Sequence, residues 1–215
     1  RHLRRWMKPS KRHTELLFLS NRLEVQYQPK GVIGIIVPWN FPVYLALGPL
    51  VAAIAAGNRV MIKLSEFTPT TNAKVKQMLS EIFSEDEVAV FGEEIQDPSK
   101  FTSLAFNHIV FTGSPAVGHI VMRTAAENLT PVTLELGGKS PALVTRNYDI
   151  TDAAKRILHG KATNSGQICV SPDYALIPKE NIDSFISACK NQFTHMFGQN
   201  IDESPHYTSI INERH

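Results

Sequence analysis

Residues 31–38 read Gly-Val-Ile-Gly-Ile-Ile-Val-Pro. The six residues 32–37 are uncharged and lie between Gly31 and Pro38. A short, continuous apolar run between such residues is typical of a strand that is buried on both faces of a parallel sheet. The stretch therefore predicts that the fold is built around a parallel sheet with helices on its faces.

The segments that follow alternate between helical and strand patterns. A helix is expected over residues 42–56, closed by Gly57-Asn58, and a second buried strand over residues 59–63. Thr68-Pro69 supplies a cap and a first-turn proline for the next helix, whose apolar stripe is Val75, Met78, Leu79, Ile82 and Phe83. Further strands are expected at residues 88–91 and 108–111. This order predicts an α/β fold with a doubly wound, mostly parallel, Rossmann-like sheet and ligands at the carboxyl ends of its strands.

A change of pattern near residues 138–141 predicts a domain boundary. Residues 1–138 are expected to form a nucleotide-binding domain, and residues 139–215 the beginning of a second, catalytic α/β domain. The chain begins at Arg1 without a methionine and ends in mid-pattern, so both domains are expected to be incomplete pieces of a longer protein.

Composition narrows the function classes. With 43% hydrophobic and 20% charged residues, the chain is expected to be globular, and a net charge of +2 disfavours nucleic acid as its partner. Residues 1–12 hold six Lys or Arg residues, which fit a nucleic-acid arm, a presequence or, as we favour, a solvated helix end. Three prolines interrupt the uncharged run at residues 31–58, so no membrane span is expected. A small-molecule partner is therefore expected. A reducing, cytoplasmic location is also expected, because two cysteines do not make a secretory disulfide framework.

The two cysteines lie in different settings. Cys169 sits in a polar, glycine-containing loop, which favours a reactive thiol, whereas Cys189 follows Phe185 and Ile186 on an apolar helix face and is expected to be inert. A thiolate nucleophile needs a base and an oxyanion site.

Two residues could fill those roles. Glu135 lies in an apolar strand just before Leu136-Gly137-Gly138, where burial would raise its pKa toward a value useful in a general base. Asn40 lies between Pro38 and Pro42 at a strand end; it could donate to an oxyanion, or it could be a turn residue or helix cap.

Two further turns could hold a nucleotide. The turn Gly113-Ser114 between a strand and a helix could offer N–H groups and a hydroxyl to a phosphate, or could be only a tight turn. Lys63 and Glu66 follow the second strand and could reach the hydroxyls of a ribose, although a surface salt bridge explains their spacing equally well. We expect no metal site.

Five motifs occur in an order and at a spacing that resemble the aldehyde dehydrogenase superfamily. They are GIIVPWNFP (34–42), IKLSE (62–66), FTGSPAVG (111–118), LELGGKSP (134–141) and NSGQICV (164–170). The segments LRRWMKPSKR (3–12), SEFTPTT (65–71) and CVSPDYALIP (169–178) resemble the class 3 branch, and within it the coniferyl aldehyde dehydrogenases, which act on aromatic aldehydes.

The resemblance implies a mechanism. Cys169 would attack the aldehyde, the Asn40 amide and the Cys169 N–H would hold the oxyanion, and Glu135 would activate the hydrolytic water. The implied cofactor is NAD, with NADP possible; Glu66 would repel a 2′-phosphate. The implied cofactor-binding residues are Ile36, Pro38, Trp39, Lys63, Glu66, Gly113, Ser114, Gly118, Leu136 and Gly137.

Residues 91–96 depart from the family pattern, because they lack its fuller glycine-containing turn after that strand. The family's later glutamate-phenylalanine motif and subunit-bridging segment are not in the chain. A homodimer or homotetramer is implied for the complete protein. Two alternatives stay open: a nucleotide-binding fragment of the same fold that does not turn over, and a thiol esterase that works without NAD.

Overall fold

The fold is described from a computed structural model, which covers residues 2–95 and 97–215. The chain divides into two compact units, Arg1–Glu135 and Leu136–His215. The two units are described one at a time.

A five-stranded sheet forms the centre of the first unit, in the order β5-β4-β3-β6-β7. Its strands are β3 (Val32–Ile36), β4 (Arg59–Lys63), β5 (Val88–Phe91), β6 (His108–Gly113) and β7 (Val132–Leu136). The pairs β3 with β4, β3 with β6 and β4 with β5 are all parallel. The predicted α/β fold with a mostly parallel sheet is therefore confirmed.

The strand order reverses beside β3. The chain runs from β3 outward through β4 to β5 and then returns to place β6 on the other side of β3. In open α/β sheets, ligands bind in the crevice outside the carboxyl ends of the strands at such a reversal. Here that crevice lies where β3 and β6 end, at Ile36 and Gly113.

A helix follows each of the strands β3, β4, β5 and β6, and each of these helices begins with proline. They are α2 (Pro42–Ala55), α3 (Pro69–Ser80), α4 (Pro98–Thr102) and α5 (Pro115–Ala126), each with proline in its first turn. Gly57, at a φ of +83°, follows the end of α2 as predicted. The core between the sheet and α2 and α3 is aliphatic and includes Ile35, Leu50, Ile62, Val75 and Leu79.

The predicted stripe of α3 is only partly correct. Val75 and Leu79 are buried, but Met78 and Ile82 are exposed, and the helix ends at Ser80. Thr68 occupies the N-cap position without making the predicted side-chain cap. Its hydroxyl bonds instead to the C=O of Ser65 and to the side chain of Asn72.

The N-terminal part of this unit is exposed. It holds α1 (Leu3–Trp6) and an antiparallel pair of two-residue strands, β1 (Ser10–Lys11) and β2 (Glu24–Val25). No residue of α1 is buried, as expected of a solvated helix.

The second unit pairs a small sheet with two long helices. Its parallel strands are β8 (Ser140–Leu143) and β9 (Pro172–Leu176), and its helices are α6 (Ile150–Ala162) and α7 (Ile182–Phe197). The rings of Phe193, Phe197 and Tyr207 pack together near the end of α7. A 3-10 turn, Thr163–Gly166, follows α6 and leads to Cys169.

Candidate active site

The carboxyl edge of the sheet gathers the predicted nucleotide-binding residues of the first unit. β3 leads into Pro38, Trp39 and Asn40, β4 ends at Lys63, and β6 ends at Gly113. These strands are parallel neighbours, so their carboxyl ends lie at one edge. Ile36, Pro38 and Trp39 are half-buried there.

Lys63 is buried at this edge, with its side chain only 4% exposed. Its ammonium donates to the C=O of Leu64 at 2.7 Å and lies 3.9 Å from the Glu66 carboxylate, beyond hydrogen-bonding distance. Burial lowers the pKa of Lys63, and the charge of Glu66 opposes that shift. The ion pair of the alternative interpretation is therefore present, but its lysine is buried and only its carboxylate is exposed. An ammonium has three donors, and Leu64 uses one of them.

The turn after β6 needs glycine. A Cβ on Gly113 would lie 2.5 Å from the ring of Phe111. The following Ser114 is the N-cap of α5: its Oγ accepts from the Val117 N–H at 3.3 Å, and its C=O accepts from Gly118 at 2.9 Å. Ser114 thus caps the helix, and its hydroxyl proton is still able to donate.

Asn40 is half-buried just before α2. Its Oδ1 accepts from the N–H of Phe41, the N-cap residue of that helix, at 3.1 Å. This local contact is compatible with both roles that the sequence left open for Asn40. Because the oxygen faces Phe41, the donating Nδ2 is at the opposite end of the amide.

Glu135 corrects one expectation. It is exposed, so the burial predicted from its apolar neighbours is wrong. β7 is the last strand of the sheet in the described residues, and along it half-buried and exposed side chains alternate. Glu135 lies with Thr133 on the face of β7 that is exposed.

The start of β6 lies beside the start of β7, since the N–H of Ile109 donates to the C=O of Pro131 at 3.0 Å. β7 therefore runs in the same direction as β6 and brings Glu135 toward the carboxyl edge. Leu136, half-buried, and Gly137, exposed, directly follow Glu135.

Cys169 is exposed and follows an unusual turn in the second unit. Asn164, Ser165 and Gly166 have consecutive positive φ values of 49°, 54° and 77°. Left-handed backbone costs free energy in residues other than glycine and persists only where the surroundings hold it.

Hydrogen bonds of the Gln167 side chain stabilise this turn. Its amide nitrogen donates to the C=O of Asn164 at 3.0 Å and of Ser209 at 3.3 Å, and its oxygen accepts from the Ile211 N–H at 3.0 Å. The Ser165 hydroxyl also bonds to the C=O of Thr208. No role for Gln167 could be predicted from the sequence, because two of its partners, Ser209 and Ile211, lie more than 40 residues away.

Cys189 differs from Cys169 in burial. It is half-buried on α7, and burial raises the pKa of its thiol. The two thiols of the chain therefore differ in their access to solvent, as the sequence predicted.

The turn after β5 contains acidic residues for which the sequence predicted no role. Of the segment 91–96, Gln96 lies outside the described residues, while Glu93 and Glu94 lie in a turn. Asn72 of α3 is buried and donates to Glu93 at 3.1 Å. The spacing of Thr68, Asn72 and Lys76, one helical turn apart, is the signal that could have indicated a polar face here.

A cavity of about 460 Å³ opens beside this turn. Its lining combines apolar side chains of β4, β5 and α4 with charged side chains at the margin, and the residues are Met61, Phe91, Glu94, Ile95, Asp97, Lys100, Phe101 and Leu104. Mostly apolar walls with a few polar groups are the usual lining of a small-molecule site.

In the part of the chain that the structure describes, no helix is both long and apolar enough to cross a membrane. The same residues contain no group of three or more histidine, cysteine or acidic side chains arranged to hold a metal ion.

Known proteins resemble the chain along nearly its whole length. The model of the aldehyde dehydrogenase family matches residues 5–215. A protein of Pseudomonas aeruginosa named probable coniferyl aldehyde dehydrogenase is 51% identical over 214 residues, which are 100% of this chain and 45% of that protein.

Solved structures of aldehyde dehydrogenases also resemble the chain. The substrate-bound state of Staphylococcus aureus AldH superposes with a TM-score of 0.92 at 40% identity, over 98% of this chain and 46% of that one. The Mycobacterium tuberculosis aldehyde dehydrogenase complexed with NAD⁺ gives a TM-score of 0.85 at 32% identity, over 96% of this chain and 42% of that one. The chain thus spans a little under half the length of these relatives, and it belongs to the aldehyde dehydrogenase family.

Proposed function

We propose that the protein is an NAD(P)-dependent aldehyde dehydrogenase that oxidises an aromatic aldehyde of the coniferyl type to the carboxylic acid. The observation that carries the proposal is the exposed thiol of Cys169 behind its left-handed turn, in a chain of this family. The substrate class is taken from the name of the Pseudomonas aeruginosa relative, which is 51% identical.

The carboxyl edge of the sheet suits a dinucleotide. The buried ammonium of Lys63 and the exposed carboxylate of Glu66 are a donor and an acceptor for ribose hydroxyls. Gly113 has no side chain, so a pyrophosphate could approach the backbone at the N-terminus of the 12-residue helix α5. Ser114 and the backbone near Gly118 would contact it there.

The remaining cofactor residues would line the dinucleotide. Ile36, Pro38 and Trp39 would form one wall at the end of β3, and Leu136 and Gly137 would follow from β7. The cavity beside Glu94, with Met61 and Phe91 in its lining, suits the flat apolar face of a base.

Cys169 would be the nucleophile. Its thiolate attacks the carbonyl carbon of the aldehyde and forms a thiohemiacetal, and the carbonyl oxygen takes up the negative charge. The Nδ2 of Asn40 and the backbone N–H of Cys169 would donate to that oxygen. When bound, the nicotinamide cofactor supplies the acceptor for the hydride that leaves this carbon.

Loss of the hydride would leave a thioester on Cys169, and Glu135 would then act as a general base. Exposure gives its carboxylate access to water, so it can take a proton from the water that attacks the thioester and releases the acid. Its role would not depend on burial in this chain.

The complete protein would be a cytoplasmic homodimer or homotetramer. NAD would be preferred over NADP, because a 2′-phosphate would meet the carboxylate of Glu66.

The test is NADH formation from NAD and coniferyl aldehyde, followed at 340 nm with Cys169→Ala and Cys189→Ala proteins as a matched pair. The expected result is turnover that Cys169→Ala abolishes and Cys189→Ala leaves within about twofold of the parent, since Cys189 is half-buried on α7. Cys169-dependent cleavage of an ester without NADH would favour the thiol esterase. NAD binding without turnover would favour the non-catalytic nucleotide-binding alternative.

A further inference from the structure

The turn after β5 carries two carboxylates, and side chains of α3 hold both of them. The amide nitrogen of Asn72 donates to Glu93 at 3.1 Å, and the ammonium of Lys76 donates to Glu94 at 2.6 Å. Asn72 and Lys76 are one helical turn apart and so lie on the same face of α3. The turn is therefore fixed to the helix at two adjacent points.

Asn72 is nearly inaccessible to solvent, and its hydrogen bonds explain why a polar side chain is tolerated there. The same amide nitrogen that donates to Glu93 also donates to the C=O of Ser65 at 2.8 Å. The amide oxygen accepts from the hydroxyl of Thr68 at 3.1 Å. One buried side chain thus joins the turn after β4, which carries Glu66, to the turn after β5.

The acidic turn lies beside Lys63. In the parallel register Lys63 is opposite Phe91, and the N–H of Leu64 donates to the C=O of Phe91 at 2.7 Å. Glu93 and Glu94 follow Phe91 within three residues. The charges of Glu66, Glu94 and Glu93 all act on the ammonium of Lys63.

Both carboxylates of the turn are ionised at neutral pH. The hydrogen bond from Asn72 lowers the pKa of Glu93. Burial opposes ionisation of Glu94, but hydrogen bonds from Lys76 and from the Gly92 N–H outweigh it and hold that pKa below its ordinary value. The charges that act on Lys63 are thus the three carboxylates of Glu66, Glu93 and Glu94 and the ammonium of Lys76, so negative charge is in excess among these five groups.

We propose that the Glu93-Glu94 turn, held beside Lys63 by Asn72 and Lys76, is a second determinant of cofactor choice that disfavours a 2′-phosphate. This inference rests on the proposed function, in which Lys63 and Glu66 hold the adenosine ribose. A ribose hydroxyl brings no charge to the acidic turn, whereas a phosphate monoester brings nearly two negative charges. The turn that departs from the family pattern therefore contributes specificity.

The experiment measures the dissociation constants of NAD and NADP by titration calorimetry. The proteins are the parent, Glu93→Gln, Glu94→Gln and the double variant. Glutamine keeps an oxygen that can accept from Asn72 or Lys76 and removes only the charge. Glu81→Gln is the control, because Glu81 is an exposed acid beyond the opposite end of α3.

We expect the parent to bind NAD more tightly than NADP. Each single substitution should lower the ratio of the dissociation constant of NADP to that of NAD by about three- to tenfold, chiefly because NADP binds more tightly. NAD affinity should stay within about twofold, and Glu81→Gln should leave the ratio unchanged. In the parent the ratio should also fall as salt is raised from 0.05 to 0.5 M, since salt screens the repulsion.

Two outcomes overturn the inference and leave the proposed function intact. One is a parent that binds both nucleotides equally, and the other is a double variant whose ratio matches the parent within twofold. Failure of every protein to bind either nucleotide overturns the proposed ribose site and this inference with it. AMP and 2′,5′-ADP form a second pair of probes that differ only in the 2′-phosphate, so their ratio should change in the same direction independently of the nicotinamide half.

Discussion

The side-chain oxygen of Gln167 accepts a hydrogen bond from the backbone N–H of Ile211 at 3.0 Å, although the two residues are 44 positions apart. The contact ties the segment before Cys169 to the segment near the end of the chain. It bears on the proposed chemistry because Gln167 is two residues from the thiol.

Loss of this contact should release the Ile211 amide. In Gln167→Ala we expect amide hydrogen exchange at Ile211 to speed up by about five- to tenfold, the equivalent of about 1 kcal/mol for one hydrogen bond. Exchange followed by NMR measures it.

Gln167→Glu is the matched variant. A carboxylate can still accept from Ile211 but cannot donate to the C=O groups of Asn164 and Ser209. Protection of Ile211 should therefore survive in Gln167→Glu, and equal exchange in both variants would count against this role for the side-chain oxygen.

The two thiols should react at different rates. Cys169 is exposed, whereas burial raises the pKa of Cys189 and so reduces its thiolate fraction at any given pH. Iodoacetamide at pH 7.5 should label Cys169 at least about tenfold faster than Cys189, as read by peptide mass spectrometry.

The labelling rate of Cys189 should keep rising with pH above the range of an ordinary thiol, because its raised pKa delays thiolate formation. In denaturant, Cys169 and Cys189 should be labelled at similar rates. Similar rates in the folded protein would mean that α7 does not protect Cys189.

Lys63→Met should separate binding from stability. It removes the proposed ribose donor, so NAD affinity should fall by about tenfold or more. Because burial disfavours the charged ammonium, an apolar side chain of similar length should leave the free energy of unfolding unchanged or slightly raised.

Urea unfolding and calorimetric titration on the same protein check both parts. If Lys63→Met lost stability and kept full NAD affinity, Lys63 would be a structural residue.

Gly113→Ala tests the close approach at the end of β6. A new Cβ would lie 2.5 Å from the ring of Phe111, so the ring or the turn must shift, and the free energy of unfolding should fall by about 1–3 kcal/mol.

Gly48→Ala, in the interior of α2, is the opposite case, because its Cβ would meet nothing within 4 Å. Helix propensity favours alanine by about 0.5–1 kcal/mol, but Pro49 disfavours a Cβ on the helical residue before it, so the free energy of unfolding should change little. Thermal unfolding measures both, and a stable Gly113→Ala protein would show that the turn adapts without cost.

Much of the fold could be predicted from local patterns. The apolar run of β3, the prolines that open α2 and α3, and Gly57 after α2 act through near neighbours, so the sequence shows them directly. The edge of the sheet at which ligands are expected follows from the order of strands and helices, since the carboxyl ends of neighbouring parallel strands lie at the same edge.

The environment of single side chains could not be predicted in the same way. Glu135 lies in an apolar stretch but is exposed, because it is on the uncovered face of β7. Lys63 forms the ion pair that its spacing suggests, but it is buried, because β4 lies between two strands.

What the sequence by itself determined is therefore the kind and order of the elements, their turns, and the family that the motifs indicate. Only the tertiary structure decided which charges are buried and which distant residues meet, such as Asn72 with Glu93 and Gln167 with Ile211. The physical reason is that periodicity and turn chemistry act over a few residues, whereas burial and long-range hydrogen bonds depend on which strands and turns become neighbours in space.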